Sequence, residues 1–177
     1  IRDRFITGNK WTKIMEHGKS TARVLRAAKG LGLSIDILEM PSSTRTADDA
    51  AQACGCIAAQ IIKSIVVINT DTNALILFLV SGSNNIDLLE TSNVLNANLT
   101  MAKPTDVKNR SGFAIGGVSP LGHKTKLETY FDSTLLQYNE VWAAAGHPNI
   151  VFKCDFNELI RSISAKCLPI SCFIERK

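Results

Sequence analysis

The sequence predicts an α/β domain of the mixed, α+β kind, built on a mixed or mostly antiparallel sheet. Three observations carry that reading. Two apolar strands, 61–68 and 74–81, flank the turn-rich segment Asn69-Thr70-Asp71-Thr72-Asn73, the pattern of a hairpin. Helical and strand-like stretches follow one another without regular βαβ alternation. The chain has 177 residues and no internal repeat, low-complexity tract or linker, which suits one domain with a sizeable core.

The elements are expected in this order. Residues 1–18 show no clean periodicity and read as a leader. Ser20 is the expected N-cap of a helix to about Lys29, with Val24, Leu25 and Ala28 on one side and Gly30 and Gly32 at its end. Ser34 to Met40 reads as a short strand stopped by Pro41. Thr46 caps a second helix, Ala47 to Cys54, whose first turn carries Asp48 and Asp49 where they complement the helix dipole. After the hairpin come a short helix over 87–95, a strand over 99–102, and a helix from Pro104 to about Arg110, with proline at a first helical position. Strand-like 128–131, a helical turn near 132–136, and strands 140–144 and 150–153 follow. Asp155 caps a last helix from Phe156 to about Ala165. The domain therefore spans 19–166, and 167–177 remains as a tail.

Composition narrows the class of molecule. Hydrophobic residues make up 45% and charged residues 20%, as in an ordinary globular protein. The longest apolar run, Ala74 to Val80, is too short to span a bilayer, so no membrane partner is expected. No signal-peptide pattern opens the chain. Five scattered cysteines, odd in number, favour free thiols and a cytoplasmic setting. Cys54-Gly55-Cys56 has no matching Cys/His pair at ligand spacing, so no metal is expected. Residues 1–46 hold nine Lys/Arg against four Asp/Glu, whereas residues 47–177 hold eleven against twelve. The positive charge is thus N-terminal. It suits attraction of a polyanion, or else a solvated helix face, and Lys19, Arg23 and Arg26 are its helical members.

The chemistry-bearing residues are few. No dinucleotide fingerprint, P-loop or nucleophile elbow is present. Lys63 is unusual because Ile61, Ile65 and Val67 share its strand face, and an ammonium among them is expensive unless paired or used. The bland alternative is a lysine whose stem packs while its head reaches water. Gly116-Gly117-Val118-Ser119-Pro120 forms a loop whose backbone N–H groups suit a carbonyl oxygen or a developing oxyanion; otherwise it is a tight turn. His147 stands between glycine and proline at a strand end, as a site residue or a plain turn histidine.

Taken in order, Ser43-Thr44-Arg45-Thr46-Ala47, Ile62-Lys63-Ser64, Gly116-Gly117-Val118-Ser119-Pro120 and Ala145-Gly146-His147-Pro148 resemble the YbaK/ProX family of trans-editing aminoacyl-tRNA deacylases. That family in turn resembles the editing insertion of bacterial prolyl-tRNA synthetases. The resemblance runs from about Ser20 to Ala165. It implies a compact domain with a barrel-like mixed sheet flanked by helices. It also implies hydrolysis of the ester joining a wrong amino acid to the terminal adenosine of tRNA, without metal, cofactor or covalent intermediate. By the resemblance Lys63 is the essential lysine, Gly116 and Gly117 belong to the carbonyl-contacting loop, and Val118, Ser119 and Pro120 continue it. Thr44, Arg45, Ser64, Ala144, Gly146 and His147 are then expected around the substrate. Ala143-Ala144-Ala145 stands where some relatives carry a hydroxyl residue. The Gly-His-Pro variant leans towards alanine, serine or threonine rather than cysteine. The implied partners are the acceptor end of aminoacyl-tRNA and a synthetase.

Overall fold

The structure is a computed structural model, and it describes residues 18–176. The leader expected over 1–18 lies, apart from Gly18, outside the described residues. Ten strands and five α-helices follow in the order α1 (Lys19–Leu31), β1 (Asp36–Glu39), α2 (Ala47–Cys54), β2 (Ile62–Asn69), β3 (Ala74–Ser81), β4 (Asn84–Ile86), α3 (Leu88–Leu95), β5 (Leu99–Met101), α4 (Pro104–Ser111), β6 (Glu128–Asp132), β7 (Glu140–His147), β8 (Ile150–Asp155), α5 (Phe156–Ser162), β9 (Lys166–Leu168) and β10 (Phe173–Glu175). Among the described residues no helix is long and apolar enough to cross a membrane.

The strands form three sheets. One has five strands in the order β5-β2-β3-β6-β9, one has three in the order β1-β8-β7, and β10 pairs with β4 alone. Pairing is mixed: β2 runs antiparallel to β3 and β5, whereas β6 runs parallel to both β3 and β9. The two larger sheets meet at one parallel bridge, Ile61 to Trp142. The sheet is therefore mixed, as expected, and open rather than closed into a barrel.

The five-stranded sheet is buried on both faces, which explains the unbroken apolar run of β3. Leu75, Leu77 and Leu79 face the main core, shared with Val24, Leu25 and Ala28 of α1 and with Phe152 and Phe156. Ile76, Phe78 and Val80 face a second core with Val67 and Leu99. Full burial of such a side chain contributes about 1.5–3 kcal/mol. The second core is closed by Leu168, Cys172 and Phe173, so residues 167–175 pack on the sheet as part of the domain.

Caps explain most helix boundaries. Thr46 Oγ1 accepts from the Asp49 N–H at 3.1 Å while Asp49 Oδ2 accepts from the Thr46 N–H at 3.0 Å, a reciprocal capping box. Asp87 and Asp155 cap α3 and α5 from one side only, accepting from the Glu90 and Glu158 N–H groups. The first helix departs from expectation. It starts at Lys19 behind Gly18, no side chain among the described residues caps it, and Ser20 lies inside its first turn. Gly30 is likewise internal, and Gly32 alone ends the helix in the left-handed conformation.

Candidate functional site

The site begins with a gap. Strand β2 joins β7 only at the Ile61–Trp142 bridge, and β5 joins β2 only from Val67 onward. Between those points the outer edge of β2 has no strand partner among the described residues. A cavity of about 240 Å³ opens there, bordered by Ile62, Lys63 and Ser64. Because the gap lies beside the strand rather than over one face, neighbouring residues of opposite faces reach it together. Its apolar wall is a small separate cluster that includes Met40, Ala50, Ile61, Trp142 and Val151. Thr44, Arg45 and Thr46 line its rim, held in place because Asp49 Oδ2 also accepts from the Arg45 N–H at 3.1 Å. Those hydrogen bonds keep the Asp49 carboxyl below the usual carboxylate range.

Lys63 is half-buried at the end of the second core. Its Nζ donates to the Asn84 carbonyl oxygen and, at 3.2 Å, to Asn85 Oδ1. Burial holds its ammonium below the ordinary lysine range; the nearby Arg176 guanidinium adds to the depression and Asp132 opposes it. The acceptors are themselves anchored. Asp132 is fully buried, and its Oδ2 accepts from the Asn84 Nδ2 at 2.8 Å and the Ser81 N–H at 3.1 Å. Its Oδ1 accepts from the Thr134 hydroxyl at 2.7 Å and the Thr134 N–H at 2.9 Å. The lysine thus sits on a fixed polar platform, and the ion pair of Arg176 with Asp48 at 2.6 Å ties the C-terminal strand to α2 beside it. Ser64 contributes differently. Its Oγ is buried and has no hydrogen-bond partner among the described residues, a rare state for a hydroxyl unless a ligand completes it.

The glycine loop divides by geometry. Ala114-Ile115-Gly116-Gly117 is a tight turn: the Gly117 N–H donates to the Ala114 carbonyl oxygen at 3.0 Å, and Gly116 has φ +91°. Gly116 and Val118 line the cavity, and among the described residues neither N–H has a protein acceptor. The Gly117 N–H, expected as a carbonyl contact, is instead engaged in the turn. Gly117 is buried, and a Cβ there would lie 3.0 Å from both N and Cα of His147. Its lack of a side chain serves packing of the loop against the end of β7.

Of the residues singled out in the sequence, the cavity gathers Thr44, Arg45, Lys63, Ser64, Gly116, Val118 and Ala144. Gly117, Ser119 and Pro120 are buried behind the loop, and Gly146 packs on Ser20 of α1. His147 is exposed, with its Nδ1 accepting from the Asn149 N–H at 3.2 Å, while its neighbour Pro148 lines the cavity. Sequence reading missed Asn84, Asn85 and Asp132, which carry no local motif, and the wall residues Met40 and Trp142, which read as ordinary core. It also missed a basic concavity of about 330 Å³ lined by Asn109, Arg110, Lys124, Thr125 and Lys126, with no carboxylate in its lining among the described residues. Its cations are split by the glycine loop and form no run. Among the described residues, no three His, Cys, Asp or Glu side chains are placed to hold a metal ion.

Comparison with known proteins places this geometry. The family model described as the aminoacyl-tRNA editing domain matches residues 41–162. The chain is 28% identical to YwhH of Bacillus subtilis, an uncharacterised protein, over 70% of this chain and 78% of that one. It is 26% identical to EbsC of Enterococcus faecalis, proposed to be a Cys-tRNA(Pro)/Cys-tRNA(Cys) deacylase, over 57% of this chain and 62% of that protein. The crystal structure of a proposed trans-editing enzyme for prolyl tRNA synthetase matches with a TM-score of 0.80 and 41% identity, covering 85% of this chain and 96% of that chain.

Proposed function

This chain belongs to the aminoacyl-tRNA editing domain family, and from that premise we propose that it hydrolyses the ester of tRNA mischarged with a small amino acid. The observation that carries the reading is the cavity at the open edge of β2, which brings Lys63, Ser64 and the Gly116–Val118 backbone to one space.

Hydrolysis needs a water oxygen to attack the ester carbonyl carbon and donors for the oxygen that gains charge. The Gly116 and Val118 N–H groups are the donors, and Gly117 shapes the turn that presents them. The C–O bond to the ribose then breaks, the ribose oxygen takes a proton, and the free amino acid leaves. Lys63 serves as a fixed cation for the terminal nucleotide. Its two oxygen acceptors favour an anchoring role over a nucleophilic one. Arg45 and Thr44 contact the nucleotide from the rim, and His147 with Gly146, Ser119 and Pro120 supports the substrate-side loops.

Substrate size follows from the walls. Met40, Ile61, Trp142 and Val151 restrict the amino-acid side chain to a small one, and the unpartnered Ser64 Oγ offers one hydrogen bond. Apolar walls separate substrates differing by a methyl group by only about 1–3 kcal/mol, so alanine, serine, threonine and cysteine overlap. Ala143 and Ala144 in the β7 wall supply no hydroxyl for a cysteine-specific contact, and the Gly-His-Pro sequence at 146–148 supports alanine, serine or threonine. The basic concavity of Arg110, Lys124 and Lys126 supports a polyanionic partner. A synthetase that delivers the tRNA is the further partner in this reading.

The test is a deacylation panel of Ala-, Ser-, Thr- and Cys-charged tRNAs, with wild type against Lys63→Ala. Wild type is expected to release the amino acid and the variant to lose at least about a hundredfold in rate while melting cooperatively. Undiminished hydrolysis by Lys63→Ala removes the role given to that lysine. Retention of charged tRNA by wild type without ester loss makes the protein a binding module instead.

A further inference from the structure

The sequence offers Arg23 as one of three helical cations that either attract a polyanion or form a solvated face, and its surroundings give it other work. From the middle of α1 its Nε donates to the Gly122 carbonyl oxygen at 2.7 Å, and its Nη2 donates to the Gly112 carbonyl oxygen at 2.7 Å. Its guanidinium carbon lies 4.5 Å from the centre of the Phe113 ring. Gly112 and Gly122 are the two roots of the glycine loop. One planar side chain therefore joins the outgoing and returning strands of that loop, a two-pronged geometry that lysine cannot reproduce.

The roots are built to admit it. A Cβ on Gly112 would lie 2.6 Å from Arg23 Nη2, and a Cβ on Gly122 would lie 3.2 Å from the backbone of α1. The Lys124 N–H closes the neck on the Ser111 carbonyl oxygen at 3.0 Å. His123 packs edge-on against Phe113, with ring centres 5.5 Å apart. The same helix supports the opposite wall, because a Cβ on Gly146 would lie 2.8 Å from Ser20. Helix α1 thus touches the roots of the loop and the end of β7, the two segments that frame the cavity.

We propose that Arg23 is a positioning residue of the deacylation: by gripping both roots of the 112–122 loop it aims the Gly116 and Val118 N–H groups into the cavity. The inference rests on the deacylase reading. It does not require Arg23 to touch tRNA, and two of its donors are already committed to the loop.

The experiment uses the full chain with Arg23→Gln and Arg23→Lys, and Arg26→Ala as a control on the exposed side of the same helix. A misplacement of the donors by about 1 Å lowers turnover by about a hundredfold. Both Arg23 variants are expected to lose about 30- to 100-fold in kcat, with KM within about threefold of wild type and an unchanged salt slope of tRNA binding. Arg26→Ala is expected to keep wild-type kcat. Arg23→Lys keeps the charge, so its failure to restore kcat separates grip from attraction. Backbone amide exchange over 113–121 is read in parallel and should quicken at least about tenfold in Arg23→Lys, with α1 unchanged.

Wild-type kcat in Arg23→Lys overturns the proposal. So does a raised KM with a salt slope lowered by about one, the mark of a phosphate contact. Unchanged loop exchange overturns it whatever the activity. If the Arg23 variants do not fold, Phe113→Leu loosens the seat of the guanidinium and is expected to show the same kcat-only loss; wild-type kcat there is equally fatal. Lys63→Ala run alongside separates the two claims. Its inactivity beside fully active Arg23 variants sinks only the positioning role, whereas retention of charged tRNA by wild type without ester loss sinks the deacylase reading.

Discussion

Gly117→Ala tests whether the glycine loop and the end of β7 act as one packed unit. The added Cβ would sit 3.0 Å from N and Cα of His147 and 3.1 Å from the carbonyl carbon of Gly146, where ordinary contact begins at 3.4 Å. All three neighbours are backbone atoms, so no flexible side chain can swing away. The loop or the strand end must move by at least about 0.4 Å, and overpacking of this kind costs about 1–3 kcal/mol. For a domain of this size that lowers Tm by about 2–12 °C. The same movement carries the Gly116 and Val118 N–H groups off the ester, and a shift approaching 1 Å is worth up to about a hundredfold in rate. Single-turnover deacylation of Ala-tRNA and thermal melting read the two effects separately. Gly116 supplies the contrast. Among the described residues its Cβ would meet Pro148 alone, at 3.7 Å from Cγ and 3.9 Å from Cβ, but its φ is +91°, so alanine there is strained by conformation rather than contact. Asparagine tolerates positive φ better than alanine and is larger. Gly116→Asn should therefore be milder than Gly116→Ala, and Gly117→Asn worse than Gly117→Ala. Wild-type rate and Tm in Gly117→Ala, or the same ranking at both positions, would refute the packing argument.

Two further outcomes are expected. Burial, aided by the nearby Arg23, pushes His123 down to about 4, against 6.5 for a free histidine, although a hydrogen bond to the Ser119 backbone opposes the shift. Between those values the unfolded chain binds a proton that the folded chain refuses, so stability falls as pH drops from about 6.5 to 4, by up to about 3 kcal/mol. Urea unfolding at pH 7, 5.5 and 4.5 should show that loss in wild type and a shallower one in His123→Leu; parallel losses would remove His123 as the cause. Lys124→Ala and Lys126→Ala should each reduce the salt slope of tRNA binding by about one while leaving kcat unchanged. Filter binding between 50 and 200 mM salt measures this, and an unaltered slope makes the concavity an ordinary solvated surface.

Local chemistry was legible wherever the deciding interaction is local. Thr46 and Asp49 lie three residues apart, so their capping box and the start of α2 at Ala47 can be read from the chain. The hairpin of β2 and β3 is equally local, since both strands and their turn are contiguous. Ser20 misled because its type favours capping, yet the chain enters α1 two residues earlier, and Val24, Leu25 and Ala28 of that helix meet the core. The short strand β4 escaped notice because Asn84-Asn85-Ile86 has little strand character of its own. It exists because Phe173–Glu175, far along the chain, pairs with it.

The candidate site shows the same division. Alternation along β2 was enough to mark Lys63 as a lysine on an apolar face, and the family pattern joined it to the glycine loop. Its acceptors, its buried Asp132 support and the neighbouring Arg176 come from β4, β6 and the end of the chain. No periodicity links those segments. Sequence alone determined that the chain folds as one mixed α/β domain, that Lys63 is out of place unless it is used, and that a glycine loop accompanies it. Tertiary structure decided that Gly117 turns its N–H away, that Arg23 faces the loop rather than solvent, and that β2 leaves an open edge for a cavity. Strand type, caps and turns follow from interactions between residues close in sequence. The direction of a donor and the partner of a buried charge depend on segments brought together only when the cores close.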